Sequence, residues 1–188
     1  MQQESGLTLI ELMVTLLVMA VVVGVAFPSF QTLIQNNRLT SQINALSGAV
    51  AFARNSALSQ PDGSVTLCAS NDQASCSGNA TWESGWIVFR DIDGDAVVDA
   101  GDDDVIRVKS SLRGGNSLRA SGFGGATTSI TFDNEGYLRT GAGLTSGTFV
   151  LCDARGASRA RGVVVSGVGQ VRPINDGNDH DGQAITCP

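Results

Sequence analysis

The chain has 188 residues and 42% hydrophobic content, enough for one ordinary core and no reason to expect two globular domains. Its formal net charge of -6 works against a general nucleic-acid binder, because counterion release needs clustered Lys and Arg. The charge is also uneven. Between Leu7 and Pro28 the only ionisable side chain is Glu11, whereas everything after Pro28 is polar, Gly-rich and punctuated like a β-protein. This pattern predicts an anchor followed by a soluble head.

Residues 7–27, LTLIELMVTLLVMAVVVGVAF, form an apolar run that as a helix at ~1.5 Å per residue reaches ~30 Å, the thickness of a bilayer core. A secretory signal would place a positive region before a shorter apolar stretch and a small-residue cleavage site after it. Here the leader is Met-Gln-Gln-Glu-Ser-Gly, without Lys or Arg, and no Ala-x-Ala site follows. Glu11 lies inside the run, where an unpaired carboxylate costs about 3 kcal/mol, so a partner is expected for it.

The stretch Gly6-Leu7-Thr8-Leu9-Ile10-Glu11 resembles the processing motif of type IV pilins, a Gly followed by Phe-Thr-Leu-Ile-Glu. Leu7 stands where the family usually has Phe, and the basic residues that help retain the leader are missing. The resemblance implies a leader of residues 1–6 cut after Gly6 by a prepilin peptidase, methylation of the new amine on Leu7, and pairing of Glu11 with the terminal amine of a neighbouring subunit. An amine and a carboxylate inside a dry helical bundle compensate each other only in one stagger, so the pair sets register. Pro28 falls where pilins often bend the helix. The implied divisions are an assembly helix over 7–28 and a periplasmic head over 29–188. The protein would sit in the bacterial inner membrane before entering a pilus or pseudopilus.

Beyond Pro28, Leu39, Ile43, Leu46, Val50, Ala53 and Ala57 recur at helical spacing and predict one apolar face. Asn36, Arg38, Gln42, Asn44 and Arg54 fall mainly on other faces. The helix should end near Gln60, before Pro61-Asp62-Gly63. Strand-like runs follow over 64–69, 85–90, 105–112, 129–132, 148–152 and 162–166, with a further one over 170–173. One long helix followed by strands predicts an α+β head, a mainly antiparallel sheet packed on the helix. Residues 114–128, with five Gly, read as an exposed loop. Trp82, Trp86 and Phe89 read as core or cap residues.

The head is similar to the GspH/FimT family of minor pilins and pseudopilins. Ala53-Arg54-Asn55-Ser56-Ala57, Gly85-Trp86-Ile87-Val88-Phe89 before an Asp-rich loop, Phe132-Asp133-Asn134-Glu135-Gly136 and Val163-Val164-Val165-Ser166-Gly167 carry the likeness by their order. It implies other minor and major pilins, the prepilin peptidase and an inner-membrane assembly platform as partners. Three functions fit: a FimU-like structural minor pilin that primes or caps a type IV pilus, a FimT-like DNA-binding subunit, and a GspH-like pseudopilin of type II secretion.

Four cysteines, Cys68, Cys76, Cys152 and Cys187, lie beyond the anchor without the spacing of a zinc site. An even number in a translocated head predicts two disulfides. We expect Cys68 with Cys76, closing a short loop, and Cys152 with Cys187, fastening the Gly-rich tail, although three connectivities are open.

Asp91, Asp93, Asp95, Asp99 and Asp102 occupy the first, third, fifth, ninth and twelfth places of an EF-hand-like spacing and are candidate calcium ligands. Ala96 takes the place of the turn Gly, and Asp102 replaces the longer bidentate Glu. A solvated loop rich in Asx-turns is the competing reading. Arg155, Arg159, Arg161 and Arg172 are candidate phosphate contacts. DNA-uptake relatives have Gly-Arg-x-Arg where this chain reads Gly169-Gln170-Val171-Arg172, and aspartates follow, so DNA binding is expected to be weak. His180 reads as solvated. No nucleophile and base fall together, so neither an enzyme nor a cofactor other than calcium is expected.

Overall fold

The computed structural model describes residues 6, 8–61, 63–140, 143–174 and 176–188, with Thr140 by its backbone alone. Its contacts divide the chain into two units, Met1–Arg38 and Leu39–Pro188. The helix α1, Leu9–Leu58, makes up most of the first and opens the second.

Within the first unit, every α1 side chain from residue 9 to 34 is exposed, including Leu9, Ile10, Leu16, Val22 and Phe27. The most apolar window has a mean hydropathy of 2.7, and the helix is long and apolar enough to cross a membrane. A helix satisfies each main-chain group within the segment, which a hydrocarbon surrounding demands. The threonine hydroxyls are satisfied in the same way. Thr15 donates to the Leu12 carbonyl at 2.9 Å and Thr32 to the Pro28 carbonyl at 3.1 Å. Pro28 lies inside the helix, where it has no N–H to offer, and α1 continues beyond it.

In the second unit, α1 buries Leu39, Ile43, Leu46, Ala49, Val50, Ala53 and Ala57, the predicted stripe with Ala49 added. The helix stops at Leu58, where Ser59 and Gln60 donate to the carbonyls of Ser56 and Ala57 in a tightened last turn. The stripe packs on two antiparallel sheets. The first has the order β3-β2-β1-β5-β6-β7, from β1 (Ser64–Ala69), β2 (Gly85–Asp91), β3 (Asp104–Ser110), β5 (Ser129–Asp133), β6 (Leu138–Thr140) and β7 (Gly143–Leu144). The second has the order β10-β9-β8-β4, from β4 (Ser117–Gly122), β8 (Gly147–Cys152), β9 (Arg161–Val165) and β10 (Val171–Pro173).

Alternation along the strands sends one face of each sheet into a shared core with the helix. Val65, Leu67, Val88, Ile130 and Phe132 come from the first sheet, and Leu118, Phe149, Leu151, Val163 and Val165 from the second. Trp82 and Trp86 join them. The Trp82 ring meets Phe149 edge-on at 4.9 Å, and its indole N–H donates to the Thr127 carbonyl at 2.7 Å, so its polar atom is satisfied. On the opposite face of β1 and β2, Cys68, Ile87 and Phe89 form a second, smaller cluster covered by Cys76, Val98 and Val105.

Two expectations change. The strands form two sheets instead of one. The expected loop over 114–128 contains β4, which pairs with β8 from Ser117↔Cys152 to Gly122↔Gly147 and buries Leu118 and Ala120. Gly content suggested a loop, but the glycines lie at the ends of the strand, where turns need them. Disulfides join Cys68 to Cys76 and Cys152 to Cys187, with Cα separations of 5.6 and 5.9 Å.

Candidate functional site

Gly6 is exposed, and Leu7, the other half of the expected cut, lies outside the described residues. Thr8 caps the helix that follows. Its hydroxyl accepts from the Glu11 N–H at 3.3 Å, and its carbonyl accepts from Leu12 at 3.2 Å. Thr8-Leu9-Ile10-Glu11 therefore has the order of a capping box, which sequence reasoning had not used although Thr three places before Glu is its signal. Glu11 sits in the first turn with its side chain exposed, at the end where the helix dipole favours an anion.

The acidic loop after β2 is held by its first member. Asp91 is buried, and its carboxylate accepts from the Thr66 hydroxyl and from the Gly94 and Ala96 amides. Burial pushes this carboxyl up from its ordinary range, against the opposing pull of those hydrogen bonds. Asp93 and Asp95 each accept the amide two residues on, as Asx-turns do. Oxygens of Asp91, Asp93 and Asp95 gather within 4.8 Å of one another. Of the five candidate ligands these three come together. The loop is closed by Asp103, which accepts from the Ile92 and Asp99 amides and had not been singled out. A cation at the three carboxylates would compete for oxygens that already accept amide and hydroxyl protons.

The four arginines do not form one surface. Arg155 makes a bidentate pair with Asp153 through Nε and Nη2, at 2.9 and 2.7 Å to Oδ2. Arg159 ends the exposed 3₁₀ turn Ala157–Arg159, and Arg161 opens β9. Arg161 shares the strand face of Val163 and Val165, which look into the core. Arg172 lies opposite Val164 in the register, on the other face.

His180 is a correction. The acidic tail predicts a solvated ring, but the side chain is 12% exposed; its Nδ1 lies 3.0 Å from the Thr148 hydroxyl, which also accepts the His180 amide at 2.9 Å. A lone His in an acidic tail gives no sign of this. Arg54 was likewise missed. Its Nε donates to the Gly136 carbonyl at 3.1 Å, and its side chain occupies the space above Gly169, tying the end of α1 to two turns of the head.

Residues 42–169 match the family described as type II transport protein GspH, and residues 1–27 match the prokaryotic N-terminal methylation motif. No curated protein matches the chain in sequence. Among solved structures it resembles the type IV minor pilin FimU of Pseudomonas aeruginosa PAO1 in two crystal forms. One is 19% identical, covers 79% of this chain and 96% of FimU, and has a TM-score of 0.58. The other is 18% identical, covers 77% and 98%, and has a TM-score of 0.54. At this identity the likeness concerns the fold: a long N-terminal helix packed on antiparallel sheets. Because the family match takes in more than half of the residues, the chain belongs to the GspH family.

Proposed function

We propose that this protein is a minor pilin, a structural subunit that enters a type IV pilus through its N-terminal helix. The observation that carries the reading is the conjunction of a methylation motif with a helix whose side chains from residue 9 to 34 are apolar for the most part and all exposed. Cleavage after Gly6 would free an amine on Leu7, four residues before Glu11. In a bundle of such helices a neighbour's Glu11 is the available counter-charge, and the low dielectric makes an unpaired carboxylate costly. The head would then project from the filament. Its core is complete without the apolar segment, so assembly need not refold it.

Mass spectrometry of the mature N-terminus tests the reading directly. The expected terminus is a methylated Leu7; an intact Met1 or a terminus near residue 28 would refute it. Glu11→Ala should leave the head folded and reduce incorporation into filaments at least tenfold, the equivalent of about 1.4 kcal/mol.

The family description favours a second reading, a pseudopilin of type II secretion. Both use the same anchor and register pair, and the fold likeness to FimU supports the pilus. Deleting the gene separates them: loss of surface pili with secretion intact supports the minor pilin, and the reverse supports the pseudopilin. DNA uptake has less support, because Arg155 is engaged by Asp153 and Arg161 and Arg172 occupy opposite sheet faces.

A further inference from the structure

The outer face of the second sheet is covered by the chain's own C-terminus. On β8 and β9 the side chains that alternate away from the core are Thr148, Val150, Cys152 and Val164, all buried and all outside the core clusters. What covers them is the tail, Ile174 and residues 176–187. A Cβ on Gly162 would lie 2.5 Å from the Ile174 Cδ1, and one on Gly122 would lie 2.3 Å from the His180 Nε2. Both glycines are thus seats for the tail, one at each side of the sheet.

The attachment is narrow. Ile174 donates its N–H to the Gly162 carbonyl at 2.9 Å. Beyond it, the main-chain hydrogen bonds of the described tail residues stay within the tail: Asp179 to Gln183 at 2.7 Å, Gly182 to Asp179 at 3.3 Å and Ile185 to Gly177 at 2.9 Å, around an Asn178↔Ala184 bridge. Among the described tail residues, His180 on Thr148 adds a polar attachment and Cys152–Cys187 a covalent one. The core clusters include no residue beyond Val171. The tail is a self-bonded hairpin laid on a sheet whose other face is already packed.

We propose that the tail is a hinged flap, latched by Cys152–Cys187, which a dithiol opens while the rest of the head stays folded. Cys187 is half-buried and Cys152 is buried, so a thiolate attacks the Cys187 sulfur and Cys152 leaves as the thiolate. The second thiol of the dithiol then attacks the mixed disulfide and releases Cys187. The two sulfurs take up two electrons and two protons, and the dithiol becomes a disulfide. Opening presents a strip of Thr148, Val150 and Val164, with Arg172 on the same face. Cys68–Cys76 is not part of the latch, because its sulfurs are packed with Ile87, Phe89 and Val98 in the second cluster.

The test uses the full chain in detergent micelles. In Cys187→Ser, Cys152 becomes a thiol that only an open flap exposes. It should react with a maleimide within about tenfold of the rate of an unfolded peptide thiol, while near-ultraviolet circular dichroism of Trp82 and Trp86 is unchanged. In the unaltered protein, dithiothreitol should free Cys152 and Cys187 for alkylation before Cys68 and Cys76. A Cys152 that reacts only at the rate of global unfolding would overturn the flap. So would tryptophan signals that collapse together with labelling, or simultaneous opening of both disulfides.

Discussion

Among the described residues, the Asp91 carboxylate is the acceptor for the Gly94 and Ala96 amides, and it also receives the Thr66 hydroxyl. Asp91→Ala would leave these donors without it beneath the acidic loop, and we expect a loss of about 2–3 kcal/mol. Urea unfolding at neutral pH, followed through the two tryptophans, measures it. Ionisation of Asp91 itself works against folding, because burial raises its folded pKa; this penalty is relieved as pH falls through that value towards ~3.9. Two other carboxyls behave in the opposite way. Burial alone would raise Asp133, but Arg139 and the Tyr137 and Glu135 amides outweigh it and hold its pKa low. At Asp153 the Arg155 hydrogen bond does the same against burial. Their contribution is present above ~pH 3.9 and disappears as pH falls through their depressed values. Melting of the head should therefore decline steeply below ~pH 4, and Asp153→Asn should flatten that decline. The residue types of the loop were legible in the sequence. That Asp91 would be buried was not, because nothing along the chain shows that β1 brings Thr66 beneath it.

At the scale of elements, the helix face was readable because its period is local, whereas the partition of strands into two sheets depends on pairings far apart in sequence. β4 is the clearest case. Its neighbour β8 lies about thirty residues on, and only that pairing makes Leu118 and Ala120 core residues. Gly85 marks the opposite situation, where one residue governs an element. It opens β2 at a φ of 123°, and a Cβ there would meet the Lys109 carbonyl oxygen at 2.4 Å. Gly85→Ala combines backbone strain with a clash against a carbonyl that β3 cannot withdraw. We expect it to cost about 3 kcal/mol. Thermal denaturation would show a head melting roughly 10 °C or more below the unaltered protein.

For the whole molecule, the net charge of -6 and the dispersal of the arginines set the response to polyanions. Four simultaneous phosphate contacts would give a log–log salt slope of about -3.6 on duplex DNA. With Arg155 held by Asp153 and Arg161 and Arg172 on opposite faces, we expect a slope shallower than about -2 and no binding at physiological salt. A gel-shift titration across salt concentrations checks this; sub-micromolar binding at ~150 mM salt would contradict it. The anchor and the order of helix before strands were visible as shifts in composition, while the covering of the outer sheet face by the tail was not, since its seats are glycines with nothing to distinguish them in a Gly-rich chain. The shared core also joins the beginning of the head to its end, from Leu39 on α1 to Val165 on β9. A ribosome completes the helix stripe at Ala57 and reaches Val165 last, and at ~5–20 residues per second the interval is on the order of ten seconds. Through that interval the apolar face of a finished helix waits without its second layer. We therefore expect nascent chains of this protein to be clients for holding chaperones, and messages cut short before β8 to yield products prone to aggregate.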